Sequence, residues 1–260
     1  EMLVYALPLI PGGAAFWVIS VADRFLLRAQ SSVEEVGRYH VIATAASGLA
    51  LLTYAFQQTW GPIALGMKDE PRSHRVYRTA LLGYVVLGGA LVVVVAATGT
   101  IILELLGGPE YSGLLAALTV LTASVVVTGA LSIVTIGSAI IGTNRPTFEA
   151  AMAAAAVNII GNIVLIPGYG ALGAAWATLG SMIVLIGVGL RRSERHLCVR
   201  YPVQRSLAIG GVFAAIAGVL VWLDDRLEGS TQVMAASGIV LITATLTIGI
   251  VHNTLTQDLS

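Results

Sequence analysis

The sequence is poor in charged residues and has a single cysteine. Only 11% of its 260 residues are charged, whereas 57% are hydrophobic; soluble domains carry about 25% charged residues. So few charges cannot supply the polar surface that a soluble core of this size requires, and lipid is the expected solvent for most of the chain. The lone Cys198 excludes a disulfide framework and a multi-cysteine metal site.

An excess of basic charge is also missing, as are the usual catalytic motifs. Fourteen Lys and Arg balance fourteen Asp and Glu, so the electrostatic signature of nucleic-acid binding is absent. The sequence has neither His-Glu-x-x-His nor Gly-x-Ser-x-Gly. Gly168, Gly170 and Gly173 spell Gly-x-Gly-x-x-Gly, but they stand between two apolar runs of membrane-spanning length, where a tight turn is expected. No enzyme activity, catalytic residue, metal ligand or cofactor is predicted.

Long runs free of charge predict an all-α integral membrane protein with about eight transmembrane helices, because each crossing needs about 20 mostly apolar residues. The runs are residues 4–22, 41–65, 79–103, 113–142, 150–166, 171–190, 207–223 and 233–251. Basic residues on the side that holds both ends are Lys68, Arg72, Arg75, Arg78, Arg145, Arg191, Arg192, Arg195, Arg200 and Arg205, against Arg24, Arg28, Arg38 and Arg226 on the other. This imbalance predicts a multi-pass protein with both termini in the cytoplasm.

Ionisable residues near the first run are the first candidates for function, because charges at membrane depth usually face a cavity or a partner. Asp23, Arg24 and Arg28 follow it directly. If the helix continues, the two arginines lie one turn apart on one face, and a bound anion would relieve their repulsion. Contact with ordinary lipid phosphates is the alternative. Glu34 and Arg38 have the spacing of a helix-surface ion pair, and Arg38 and Tyr39 can also point inward.

Uncharged polar residues inside later runs are weaker candidates for a substrate path. Gln57 and Trp60 precede Pro62, where the helix should kink; they could contact sugar hydroxyls or belong to the aromatic belt at the membrane interface. Asn158 and Asn162 share a helix face one turn apart. Those two amides could line the path or form a hydrogen bond to a neighbouring helix.

Several segments resemble the carboxy-terminal lobe of bacterial polysaccharide-biosynthesis flippases of the O-antigen type. The segments are WVISVADRF at 17–25, EVGRY at 35–39, AFQQTWGP at 55–62 and VNIIGNIVLIPGYGALGAAWAT at 157–178. Their order and spacing are similar to those of the multidrug, oligosaccharidyl-lipid and polysaccharide exporter superfamily. The resemblance covers residues 3–190.

The resemblance implies two six-helix lobes that rock about a central cavity to give alternating access. By it, residues 1–190 form the six-helix carboxy-terminal lobe, residues 191–205 a basic cytoplasmic loop, and residues 206–260 two additional helices and a short tail. The chain then begins at the seventh helix, and an amino-terminal lobe is expected outside this sequence. A half-transporter that dimerises is the alternative.

The resemblance also implies a function: movement of a polyprenyl-pyrophosphate-linked oligosaccharide across the cytoplasmic (inner) membrane. Arginine suits a pyrophosphate because its planar fork donates paired hydrogen bonds. The implied pyrophosphate ligands are Arg24, Arg28 and Arg38, and the implied path residues are Asp23, Tyr39, Gln57, Trp60, Asn158 and Asn162. Expected partners are the lipid-linked oligosaccharide, the bilayer, a coupling H⁺ or Na⁺ and a polysaccharide polymerase, with no nucleic acid.

Three alternatives remain open. A cation-coupled multidrug exporter of the same superfamily needs an acidic residue in the cavity, and Asp23 and Glu149 are the near candidates. A membrane glycosyltransferase or polymerase would need a larger catalytic loop than these short connections provide. A non-transporting protein of polysaccharide assembly would need none of these polar residues.

Overall fold

A computed structural model describes residues 9–194 and 199–226, together with the single positions 238, 239, 243, 245, 247 and 249. The eighth predicted run, residues 233–251, and part of the basic loop at 191–205 therefore lie largely or partly outside the described residues. Within the described residues the structure is helical and contains no strand. This confirms the predicted all-α class.

The described helices follow the predicted apolar runs in order. They are α1 (Leu9–Gln30), α2 (Val33–Gly66), α3 (Ser73–Gly107), α4 (Leu115–Gly129), α5 (Leu131–Val134), α6 (Ile136–Ile140), α7 (Arg145–Ser193) and α8 (Val203–Asp224), with a short 3-10 helix at Pro109–Leu114. The stretches long and apolar enough to cross a membrane are Val33–Gly66, Ser73–Gly107, Pro109–Val134, Arg145–Ser193 and Val203–Asp224. The chain is thus a multi-pass membrane protein.

Helix α1 continues beyond the predicted end of the first run at residue 22. It includes Asp23, Arg24 and Arg28 and ends at Gln30. No proline or glycine interrupts this stretch, so the backbone stays helical although the side chains become charged. Helix α2 then begins after Ser32, whose hydroxyl accepts a hydrogen bond from the backbone N–H of Glu35 at 3.2 Å, the usual arrangement of a helix N-cap.

Helix α7 is a hairpin of two antiparallel arms. Gly170 has φ 51° and ψ −129°, which breaks the helix. A Cβ placed on Gly161 would lie 3.0 Å from the Cβ of Ala177, whereas residues 16 apart on a straight helix are separated by about 24 Å. The chain therefore reverses at Gly170, which confirms the tight turn predicted between the fifth and sixth runs.

The arms of α7 form the centre against which other helices pack. Ala15 and Ile19 of α1 share a buried cluster with Ala150, Ala154 and Leu185 of α7. Elsewhere α8 packs on α3, where the ring of Phe213 fills the space beside Gly89. Large apolar side chains on the outer surface, such as Leu87 and Leu105, are left more than half exposed. That exposure is compatible with lipid, whose tails are as apolar as leucine.

Candidate functional site

A buried pair of polar side chains joins α1 to α2. Asp23 is 5% exposed and Tyr39 is 2% exposed, and the Tyr39 hydroxyl lies beside the Asp23 carboxylate and Thr178 of α7. Asp23 occupies one position of the buried stripe Ala15, Ile19, Asp23 and Leu27, whose four-residue spacing faces the core. A carboxyl group in an otherwise apolar stripe is costly to bury and here has polar partners.

The polar contacts continue from Thr178 into the first arm of α7. The Nδ2 of Asn158 lies 3.5 Å from the hydroxyl oxygens of both Thr178 and Ser181, and the Nδ2 of Asn162 donates to Asn158 Oδ1 at 3.1 Å. Both asparagines are fully buried. The structure therefore brings together four of the predicted path residues, which are Asp23, Tyr39, Asn158 and Asn162. Thr178 was not among the residues selected from the sequence, and it connects the two pairs.

One acceptor in this buried polar chain has no partner. The Oδ1 of Asn162 makes no hydrogen bond to the described residues. A buried amide oxygen left without a donor costs free energy. This oxygen is therefore able to accept a hydrogen bond from a ligand or to coordinate a cation.

Arg24 and Arg28 lie on the exposed face of α1, beside the buried stripe. Both side chains are exposed, one turn apart as predicted, since the helix continues to Gln30. Neither guanidinium forms an ion pair within the part of the chain that the structure describes. Their donors are free to meet an anion.

Arg38 differs from these two arginines because it is held by two carboxylates. Its guanidinium lies 3.4 Å from Glu34 and 3.1 Å from Glu35, so the ion pair with Glu34 that the spacing predicts is present. The other oxygen of Glu35 accepts the backbone N–H of Ala171, at the turn of α7, at 2.9 Å. Glu35 was not identified from the sequence, because 136 residues separate it from Ala171.

The two path candidates near Pro62 lie away from the Asp23–Asn162 chain. Trp60 is 6% exposed and packs edge-on against Tyr77, with 5.9 Å between ring centroids, and parallel to Phe56 at 6.2 Å. Gln57 is half-buried beside it. Trp60 is thus part of an aromatic core, although its indole Nε1 has no acceptor among the described residues.

Polar residues form a stripe along the exposed face of α2, which the sequence pattern alone does not predict. At about 100° per residue its members lie within about 40° of one direction, opposite the buried face that carries Tyr39, Ile42 and Trp60. Gln58, rather than Gln57, belongs to it and donates to the hydroxyl of Tyr54 at 2.9 Å. We call this the α2 polar stripe; its residues are His40, Thr44, Ser47, Tyr54 and Gln58, with the apolar Leu51 between Ser47 and Tyr54.

Glu149 lies at the end of α7 that is farthest along the chain from its turn, and two arginines balance its charge. One of its oxygens lies 3.0 Å from Arg145 and the other 2.8 Å from Arg192. Glu149 is therefore a structural link between the two arms of α7.

Near this end of α7, Tyr201 donates a hydrogen bond to the carbonyl of Ile133 at 2.7 Å. Burial raises the pKa of its phenol, which keeps the hydroxyl a donor.

The fold was compared with known proteins. No family model matches the chain, and no curated protein matches its sequence. Among solved structures, the chain is similar to the lipid II flippase MurJ in its inward closed conformation, with a TM-score of 0.66 and 17% sequence identity. The match covers 96% of this chain and 53% of that structure, so the chain spans about half the length of the flippase. The chain shares its all-helical membrane fold with that half of the transporter.

Proposed function

We propose that the chain is part of a flippase of the inner membrane that moves a polyprenyl-pyrophosphate-linked oligosaccharide by alternating access. Arg24 and Arg28 bind the pyrophosphate, and Arg38 joins them when its glutamates release it. The similarity to a lipid II flippase supports a lipid-linked substrate in general. The oligosaccharide of the O-antigen or exopolysaccharide type is a finer proposal, which rests on the sequence resemblance.

The observation that carries this proposal is the pair of exposed arginines on α1, which form no ion pair with any residue that the structure describes. An arginine pair one turn apart is repulsive in the absence of an anion, and a pyrophosphate offers the charge and the paired acceptors that two guanidinium groups require. The α2 polar stripe supplies hydroxyl, amide and imidazole groups on the neighbouring helix, and these suit a glycan.

The experiment is reconstitution of the full-length gene product in liposomes with a polyprenyl-pyrophosphate oligosaccharide, whose translocation is followed by its accessibility to an external glycosidase. The double variant Arg24→Gln/Arg28→Gln should lower the initial rate by about tenfold or more, the effect of losing one charge-assisted contact or more. Folded yield should remain near that of the wild type because both side chains are exposed.

The matched control is Arg200→Gln/Arg205→Gln, which removes two exposed arginines near the opposite end of the helices. Its transport rate should stay close to that of the wild type. Equal rates for the two double variants would overturn the assignment of Arg24 and Arg28, and a wild type that moves no lipid-linked sugar would overturn the flippase function itself.

A second candidate, cation-coupled export of small molecules, is favoured by the burial of Asp23. Among the two acidic residues considered for coupling, Glu149 is neutralised by two arginines, whereas Asp23 contacts Tyr39 and reaches the unpaired Asn162 oxygen through Thr178 and Asn158. H⁺ or Na⁺ would bind among these oxygens. The same ion could also drive the flippase.

The two candidates are separated by the cargo that an ion gradient moves. In the same liposomes, a Na⁺ or H⁺ gradient that drives efflux of a cationic dye, but no lipid-linked sugar, would select the exporter. Asp23→Asn should abolish the gradient dependence in either case. Gradient-driven transport that survives this substitution would exclude Asp23 as the coupling residue.

A further inference from the structure

Glu35 is the residue at which α2, Arg38 and the turn of α7 meet. Its side chain is 22% exposed. One carboxylate oxygen lies 3.1 Å from Arg38 and the other 2.9 Å from the backbone nitrogen of Ala171. These contacts join the first turns of α2 to the turn of the α7 hairpin. Among the described residues, no hydrogen bond or ion pair joins Arg38 directly to that turn.

The turn of α7 is shaped around this carboxylate. Gly170 has a positive φ of 51°, and a Cβ at this position would collide with the Oε2 of Glu35. Ala171 begins the second arm, where the first backbone N–H groups of a helix need an outside acceptor and the helix dipole favours a negative charge. Gly170 and the backbone N–H of Ala171 therefore both fit the docked position of Glu35.

The carboxylate of Glu35 is in turn oriented by Arg38. A glutamate side chain has three rotatable bonds, and its ion pair with the guanidinium fixes the direction of the second oxygen. If an anion draws Arg38 away, Glu35 loses this restraint and can turn toward solvent. Glu34, the other partner of Arg38, is 75% exposed, and among the described residues it forms no hydrogen bond or ion pair with α7.

We propose that Glu35 is a positioning residue that couples Arg38 to the turn of α7. While Arg38 is paired with Glu35, the turn stays docked on Glu35, and an anion that binds Arg38 in place of Glu35 releases the turn. The identification of that anion as a pyrophosphate rests on the proposed function. The coupling itself rests only on the contacts of Arg38, Glu35 and Ala171. Anion binding at Arg38 and docking of the α7 turn must then change each other's free energy by the same amount.

The experiment measures hydrogen exchange of the Ala171 amide in the purified full-length protein, by mass spectrometry with fragmentation across residues 168–173. Glu35→Gln should accelerate this exchange about tenfold, since a hydrogen bond to a charged acceptor is replaced by one to a neutral amide. Arg38→Gln should accelerate it in the same direction. Glu34→Gln is the matched control and should leave it unchanged, and Arg38→Lys, which keeps the charge, should restore most of the protection.

Equal exchange in Glu35→Gln and Glu34→Gln, or unaltered exchange in Arg38→Gln, would overturn the coupling. Exchange in the first arm of α7, residues 150–160, reports whether a variant has lost its fold. If a variant exchanges faster in both segments, it has lost its fold, and Arg38→Lys then decides the test. Failure of Arg38→Lys to restore protection at Ala171 would also overturn the coupling.

Inorganic pyrophosphate then tests the anion separately. It should accelerate Ala171 exchange in the wild type and in Glu34→Gln, and have no effect in Glu35→Gln. If pyrophosphate has no effect on the wild type while Arg38→Gln still releases the turn, the coupling stands and the pyrophosphate role of Arg38 is wrong. These two results distinguish a failure of this inference from a failure of the proposed function.

Discussion

Asn158 shows how much a single buried amide contributes to this bundle. Its Oδ1 accepts from Asn162 and its Nδ2 faces Thr178 and Ser181 on the other arm of α7. The bond from Asn162, at 3.1 Å, is the shortest of the three. Because the site is fully buried, water cannot replace a missing partner without a cavity to hold it.

Asn158→Ala should therefore lower the free energy of unfolding by roughly 1–2 kcal/mol, a value typical of a polar contact between membrane helices plus the loss of a partner for Asn162. Thermal unfolding in detergent measures the change. Thr44→Ala is the control, since the Thr44 hydroxyl is exposed and bonds only to the His40 carbonyl of its own helix. Similar midpoints for the two variants would mean that the asparagine contacts contribute nothing.

The same residues show what the sequence can and cannot predict about a site. The spacing of Asn158 and Asn162 places them on one helix face, and the structure has them there. The spacing does not indicate which way α2 faces, because apolar residues occur on all its sides. The spacing therefore does not show that Trp60 lies in an aromatic core, or that Gln58 is more exposed than its neighbour Gln57.

The α7 hairpin depends on close contact between its arms near the turn. A Cβ on Gly173 would collide with the backbone carbonyl of Leu165, and a backbone atom cannot move aside as a flexible side chain can. Gly180 lies farther along the second arm, and a Cβ there would meet nothing within 4 Å. The two glycines form a matched pair within one helix.

Gly173→Ala should destabilise the protein by about 1–3 kcal/mol through overpacking. Gly180→Ala should be neutral or stabilise it by up to about 1 kcal/mol, because alanine is the better helix former. Chemical or thermal unfolding of both variants in the same detergent provides the comparison. A Gly180→Ala variant that is the less stable of the two would contradict the packing of the turn.

At the scale of elements, hydropathy predicted the order of the described helices better than their ends. Five of the runs between residues 41 and 223 fall within α2, α3, α7 and α8. The run at 113–142 is instead divided among the 3-10 helix, α4, α5 and α6, and it ends two residues beyond Ile140. The end of α1 was placed too early because charge marked the end of the apolar run, whereas the backbone has no reason to leave the helix before Gln30. The contact of Glu35 with Ala171 depends on tertiary packing, which a local pattern does not contain.

Two kinds of exposed surface distinguish the sides of the whole molecule. On α3, Leu87 and Ile101 are each 65% exposed and meet lipid without cost. On α2 the exposed face includes His40, Tyr54 and Gln58, whose polar groups would be costly to place against hydrocarbon. The α2 polar stripe is therefore expected to face water or protein, as a substrate path between the parts of a transporter would.

Cysteine accessibility in the full-length protein tests this assignment. In a Cys198→Ser background, single cysteines at Thr44, Ser47 and Gln58 should react with a membrane-impermeant maleimide, because a water-filled path admits the reagent and allows the thiolate to form. Leu87 and Ile101 are also exposed in the chain, but Leu87→Cys and Ile101→Cys should remain unlabelled in lipid, and all five cysteines should react after denaturation. The α3 cysteines could react as fast as those of the α2 polar stripe, or the whole stripe could be protected from the reagent. Either result would show that this face of α2 does not line an aqueous path.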